Sequence, residues 1–365
     1  MSKAAELAAL IGSQSALSNR NLIINGAMQV AQRGTSSTGL TSGDNFLTDR
    51  FKTVITSLGT WTITQDSDAP DGFSKSLKID CTTADASPAA SDLLIIDHRI
   101  EAQDLQQLAY GTSAAKSITL SFYVKSNKTG NATVGILQPD SSFKMVSPQY
   151  TINSANTWER KEIVIAGDAA GQIDNNTDRG LEIEWWLNSG SNFTSGSHQN
   201  TYVAIDNTNR NPSNLGIGGS TDDYFQITGI QLEVGEQATP FEHRSFGDEL
   251  RRCQRYYEHT YPYGTAPGTA NGGIGADHRY VGRETANNYG YYTAHYRVEK
   301  RAAPTVTVYS YAGTANQIGN GDTGGDSGAV GVIQSGTTSF LPRNTSGSGV
   351  SARALMYHFK ADAEL

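Results

Sequence analysis

Two carboxylates stand two residues apart in the run Leu181-Glu-Ile-Glu-Trp-Trp-Leu187. If the run is a strand, Glu182, Glu184 and Trp186 share one face and Leu181, Ile183, Trp185 and Leu187 the other. Strand rise then sets the two acids about 7 Å apart, a separation that glycosidase acid pairs also use. Such pairs act across a scissile bond held in a shaped cleft, and no sequence feature marks one. Two non-covalent readings stand beside each other. The face is a solvated strand surface, or it is a sugar site in which an exposed Trp186 stacks on a ring while the acids accept hydroxyl hydrogen bonds. Tyr123 and Gln138, read as lying on neighbouring strands, would extend that surface.

Other reactive groups do not converge. Gly325-Asp326-Ser327-Gly328 echoes the nucleophile loop of trypsin-like proteases, but His295 is close upstream in sequence and the glycines around the serine read as a flexible loop. Asp322 and Asp326 in that loop could give oxygen ligands to a structural calcium ion, although the EF-hand pattern is missing. No other cofactor is expected. Gly216-Ile-Gly218-Gly219 is a turn rather than a phosphate cradle, since neither a lysine nor a helix start follows it. The seven histidines show no pairing at metal-ligand spacing.

The elements that would position these residues are mostly strands. Ile118 to Lys125 alternates cleanly, with Ile118, Leu120, Phe122 and Val124 on one side. Similar alternation marks Ser76 to Cys81, Ala132 to Leu137, Lys161 to Ile165, Leu181 to Leu187 and Tyr202 to Ile205. Leu22 to Ile24 and Met28 to Val30 read as strands around an Asn25-Gly26 turn, Thr35 to Asn45 as a polar loop, and Glu101 to Tyr110 as a short helical piece. Regular short strands with turn signals between them predict an all-β fold, a two-sheet sandwich of jelly-roll type. Residues 1–18 have helical spacing at Ala4, Leu7, Ala8, Leu10 and Ile11 and read either as a frayed end or as a small adapter. Phe246, Leu250, Cys253 and Tyr257 recur at spacings of a single helix face, opened by Ser245 as N-cap. The last region is glycine-rich and tyrosine-rich, suited to a small β-domain. The expected domains are thus 1–19, a helical adapter; 20–244, the jelly roll; 245–259, a linking helix; and 260–365, a small C-terminal β-domain.

The run QLEVG followed by ATPFEHRSFGDELRRCQRYYE closely resembles a segment of tailed-bacteriophage virion structural proteins, often tail-fibre proteins. NLIINGAMQVAQRG, DRF, LAYGTSAAKSITLSFYVKS, NTWERKEIVIAGD and LEIEWWLNSGSNFTSG agree with that family in the same order. The likeness covers roughly residues 20 to 257 well and the remainder weakly. It implies a central domain similar to carbohydrate-binding jelly rolls. It also implies a non-enzymatic fibre or receptor-binding adhesin, a homotrimer that contacts host surface glycan. In that reading residues 1–18 dock on other virion proteins, and Phe246, Leu250, Cys253 and Tyr257 line the trimer axis. The alternative within the same family is a capsid decoration or tail-assembly protein with no host ligand.

Composition narrows the classes further. A net charge of −8 and the scarcity of Lys/Arg clusters leave no footprint for nucleic acid. No run of apolar residues is long enough for membrane insertion, and the start lacks a signal peptide, so the chain is expected to be made in a cytoplasm; the resemblance implies that this is the host's and that the chain is located in the virion. Cys81 and Cys253 read as small buried hydrophobes.

Overall fold

The structure is a computed structural model that describes residues 19–270, 279–284, 293–320, 325–344 and 353–365. The adapter expected at residues 1–18 lies outside the described residues, as does Asp322. The chain divides into two compact units. The first holds Ser36–Ser245 with the segment up to Gln29, and the second holds Phe246–Glu364 with Val30–Thr35.

In the first unit the strands are β1 (Ser36–Leu40), β2 (Gly43–Phe46), β3 (Phe51–Thr56), β4 (Thr60–Asp66), β5 (Ser76–Thr83), β6 (Leu93–Glu101) and β7 (Ile118–Ser126). They continue as β8 (Gly130–Gln138), β9 (Lys144–Val146), β10 (Gln149–Ile152), β11 (Glu159–Ile165), β12 (Arg179–Ser189), β13 (Val203–Ala204) and β14 (Tyr224–Val234). One sheet has the order β1-β4-β5-β14-β7-β11; the other runs β13-β9-β8-β12-β6-β3-β2, with β10 beside β8. Every pairing is antiparallel. Because the chain passes repeatedly from one sheet to the other, the two sheets close on a common core as a jelly-roll β-sandwich.

That core is built by the residues whose alternation was legible. Leu120, Phe122 and Val124 of β7 and Ile63, Ile79 and Phe225 face Phe51, Ile96, Ile136, Ile183 and Trp185 of the second sheet. Phe122 and Trp185 meet edge to face with ring centroids 5.9 Å apart, an arrangement the ring quadrupoles favour.

Three local expectations are corrected. Residues 21–30 are not strands: the segment is held against β14 by side chains, with Asn21 Nδ2 donating to the Ile230 carbonyl at 3.1 Å and Asn21 Oδ1 accepting from Leu232 N–H. Gly26 is required there, because a Cβ would lie 2.1 Å from the Ile230 oxygen. The polar stretch 35–45 is not a loop but supplies β1 and β2, each at the end of a sheet. Edge strands half in water need no apolar alternation, which is why periodicity misses them. The glycine-rich run also differs from the loop reading, since Asp326 opens the Asp326–Ser335 strand.

His98 sits in the sandwich core, its ring tilted against Phe51 with centroids 4.7 Å apart, and makes no hydrogen bond of good geometry through either ring nitrogen. Burial, reinforced by the Arg50 charge, holds its pKa well below 6.5. The folded state therefore binds this proton less readily than the unfolded chain, so its contribution to stability is full above pH 6.5 and declines as pH falls below it, at about 1.4 kcal/mol per pH unit. Thermal unfolding from pH 7.5 to 5 is expected to show this decline in the wild type relative to His98→Phe, which also removes two unsatisfied nitrogens. Parallel profiles for the two proteins would refute the assignment.

The second unit opens on α1 (Phe246–Gln254), followed by the short strand Tyr257–His259. The expected helix to residue 259 is thus shorter, and Tyr257 belongs to a strand paired with Arg353–Asp362. Val308, Ile318, Phe340, Tyr357 and Phe359 form this unit's core. Val30–Thr35 belongs here rather than with the jelly roll: Gln32 Nε2 donates to the Tyr257 carbonyl at 2.8 Å, and the Arg33 guanidinium lies 3.6 Å from the Tyr257 ring centre. Lys300, wholly buried, pairs with Glu258 at 2.6 Å. The stripe expected at a trimer axis is largely consumed by this unit's own packing, with Cys253 and Tyr257 buried and Leu250 half-buried. Phe246 alone of the four is well exposed, at 43%, beside Tyr263. Neither cysteine is in a disulfide, and both are buried.

Candidate functional site

The five residues expected to form one sugar-binding face are divided by the fold. Glu182, Glu184 and Trp186 do share the outward face of β12, as the period of two requires. They are nevertheless buried, Trp186 completely. The stretch after β12 doubles back over them: the short Ser191–Thr194 helix packs Phe193 against Trp186 at 5.2 Å. The Arg210 guanidinium lies 4.9 Å from the Trp186 ring and pairs with Glu184, while Trp186 Nε1 donates to Glu184 at 3.2 Å. Glu182 is held by Arg99 at 3.1 Å and by Arg179. No sugar ring can stack on Trp186 in this arrangement. Alternation tells which residues share a face, but not what else in the chain covers it.

Gln138 lies one position out of phase. Its neighbour Leu137 is the residue opposite Glu182, and Gln138 is fully buried, donating to the Gly171 carbonyl at 2.7 Å. Tyr123 belongs to the other sheet, on the outward face of β7.

Around Tyr123 the structure assembles a different site. A groove of 470 Å³ is lined by Asp71, Phe73, Tyr123, Arg160, Phe241 and His243, with Ser121 and Gly229 in its floor. Phe73 stands at the centre of an aromatic cluster, 5.5 Å from Tyr123, 5.0 Å from Phe241 and 5.3 Å from His243. Tyr123 and Arg160 are directly opposite each other on β7 and β11, so the sheet itself sets their spacing.

The two walls are loops, and each is tied down. Phe73 follows β4 in a turn closed by its own N–H donating to the Pro70 carbonyl at 3.0 Å. Asp68 anchors that loop to the sheet, accepting from Lys125 at 2.7 Å and from Trp158 Nε1 at 3.1 Å. Burial alone would raise the Asp68 pKa; these two donors outweigh it and hold the carboxyl below its usual range. The opposite wall, residues 238–243, hangs on Glu233, whose carboxylate accepts from Thr239 N–H at 2.8 Å and from Thr239 Oγ1 at 2.7 Å. Arg160 Nη2 donates to the Thr239 carbonyl at 3.2 Å, and Arg160 also pairs with Glu162 at the rim.

Gly229 makes the aromatic floor possible. Its φ of +62° coincides with a break in the β14–β7 register between Thr228 and Gln231, and a Cβ would sit 2.7 Å from Phe73 and 2.9 Å from Tyr123. Gly229→Ala is therefore expected to lose about 1–2 kcal/mol to backbone strain alone and to push both rings apart. Denaturant unfolding measures the first effect; an unchanged midpoint would contradict it.

Chemically, the groove offers π faces for the apolar side of a ring, with a carboxylate, a guanidinium, an imidazole and a hydroxyl around them. It contains one carboxylate, Asp71, among its lining residues, so no acid pair is assembled there. Of the residues expected from sequence only Tyr123 belongs to it. Phe73, Phe241 and His243 were missed because they lie in loops without periodicity; the signals that mark them are an aromatic just after Pro70-Asp71-Gly72 and another just after Pro240. Among the described residues no cluster of three or more potential metal ligands occurs, and no helix is long and apolar enough to cross a membrane.

No protein-family model and no curated protein matches the chain. Solved structures give partial likenesses. The enzymatically active domain of tailspike protein 4 from bacteriophage CBA120 aligns at 14% identity and a TM-score of 0.32, over 59% of this chain and 21% of that one. The TmCBM61 module solved with beta-1,4-galactotriose aligns at 13% identity and 0.28, over 59% and 99%. The family 11 carbohydrate-binding module of Lic26A-Cel5E from Clostridium thermocellum aligns at 11% and 0.27, over 62% and 100%. The chain thus spans about a fifth of the tailspike domain, and at these scores the description of the fold rests on the strand order itself.

Proposed function

We propose that the first unit is a glycan-binding jelly roll whose ligand lies in the groove of Phe73, Tyr123, Phe241 and His243. The observation that carries this reading is the convergence of those four rings with Asp71 and Arg160 in one open cleft of 470 Å³, the combination of apolar faces and a few placed polar groups that small-ligand sites use. Sugar rings stack on the aromatic floor, and their hydroxyls bond to Asp71, Arg160 and His243. Binding there proceeds without covalent chemistry, since glycoside hydrolysis uses a pair of carboxyl groups and Asp71 is the single one among the lining residues.

The resemblance of residues 20–257 to tailed-phage fibre proteins supports placing this binding in a virion adhesin that contacts the bacterial surface. The homotrimer rests on that resemblance alone; of the expected stripe Phe246 is exposed and Leu250 half-buried.

The test is binding of fluorescently labelled protein to candidate host cells, with and without periodate oxidation of their surface glycans. Binding that periodate abolishes agrees with the proposal. A folded protein that binds no cells, or binds equally after periodate, overturns it in favour of a decoration or assembly role.

A further inference from the structure

We propose that Lys52 and Asp97 join in an intramolecular isopeptide bond that staples β3 to β6. The two residues are directly opposite in the antiparallel pair. Lys52 Nζ lies 3.1 Å from Asp97 Oδ2, and the side chains are only 5% and 3% exposed. The Oδ2 atom is buried without a hydrogen-bond partner, so the amine stands close to the carboxyl group without being engaged in a well-directed hydrogen bond to it. Such permanent proximity, with water excluded, is what lets an otherwise slow condensation proceed.

The groups around the pair supply the remaining roles. Glu182, on the next strand of the sheet, neighbours Asp97. Arg99 Nη2 is 3.2 Å from the same Asp97 oxygen and 3.1 Å from Glu182. Asp44 reaches Lys52 Nζ at 3.2 Å from the exposed side. Burial, then the charge of Glu182, pushes the Asp97 carboxyl well up against the pull of Arg99 and Lys52, toward the protonated acid. Glu182 is the opposite case: burial would raise it, but Arg99 and Arg179 hold it low, as a carboxylate. An acid to be attacked and a carboxylate whose charge keeps it protonated thus stand side by side.

The step balances. Asp44, 3.2 Å from Lys52 Nζ, takes a proton from the ammonium and releases it to solvent from its exposed side, and the freed amine attacks Asp97 Cγ. Arg99 stabilises the oxygen that gains charge. The tetrahedral intermediate passes one of the two protons on its nitrogen to the departing hydroxyl by way of Asp44 and keeps the other as the amide N–H. One C–N bond forms, one C–O bond breaks and one water leaves; nothing is oxidised or reduced.

The test is the intact mass of the purified full-length chain, followed by protease digestion and tandem mass spectrometry. The expected mass is lower than that of the sequence by one water, with a branched peptide joining Lys52 to Asp97. Lys52→Arg keeps the positive charge but cannot form the amide, and is expected to show its full mass. Glu182→Gln is expected to slow or prevent the bond. A wild-type chain at full mass overturns the proposal. So does a water loss that maps elsewhere, such as a succinimide at Asp71-Gly72, with Lys52 and Asp97 recovered in separate linear peptides.

Discussion

Arg210→Met is expected to destabilise the first unit by about 3–5 kcal/mol at neutral pH, the usual consequence of removing one partner of a buried ion pair. Glu184 is 2% exposed and its carboxylate is matched by the Arg210 guanidinium, which also covers the Trp186 ring. Without Arg210 the carboxylate is left with Trp186 Nε1–H at 3.2 Å, one neutral donor where a full charge stood. The pH dependence gives an independent check. Burial already raises the Glu184 pKa in the wild type, and loss of the cation raises it further. The folded variant then holds a proton that the unfolded chain has released, so stability falls as pH rises above the ordinary carboxylate range and recovers as pH falls. Glu184→Gln in the Arg210→Met background removes the uncompensated charge and is expected to restore most of the loss, a coupling that a double-mutant cycle isolates. A cost under about 1 kcal/mol for Arg210→Met would mean that the cover over β12 is not held by this pair.

Tyr123→Ala is expected to weaken glycan binding by about 10- to 100-fold, equivalent to about 1.4–2.8 kcal/mol, while leaving the fold intact. Tyr123 points outward from β7 and is half-buried, so its truncation opens no core cavity. It removes the floor ring and the packing surface that holds Phe73 at 5.5 Å. Tyr123→Phe separates the two roles of the side chain: if stacking dominates, most affinity is retained, whereas loss equal to that of alanine would place the interaction at the hydroxyl. Titration calorimetry with a bound oligosaccharide measures both. Trp186→Ala is the contrasting control, expected to lower stability by about 3–5 kcal/mol through a buried cavity with no direct contact to ligand.

The jelly roll was legible where strands are half-buried and alternate. Ile118 to Lys125 became β7 of the core, and the Leu181 to Leu187 run became the inner and outer faces of β12. The edges β1 and β2 were not legible, since polar residues on a sheet margin carry no apolar period. The site was read only through Tyr123. Periodicity placed Glu182, Glu184 and Trp186 together and was right about their common face, but exposure depends on residues such as Phe193 and Arg210 that reach the face from a later, aperiodic stretch. The same reason hid Phe73 and Phe241, whose positions depend on the Asp68 and Glu233 anchors rather than on any spacing. Helical spacing likewise ran through Tyr257, while the backbone turns at Gln254 and enters a strand.

The most direct measurement is a comparison of the labelled wild-type protein and Tyr123→Ala on an array of bacterial surface oligosaccharides. The wild type is expected to retain a defined subset, and the variant, folded to the same degree by circular dichroism, to lose it. Retention of the same subset by Tyr123→Ala, or of none by the wild type, would contradict the assignment of the groove as the glycan site.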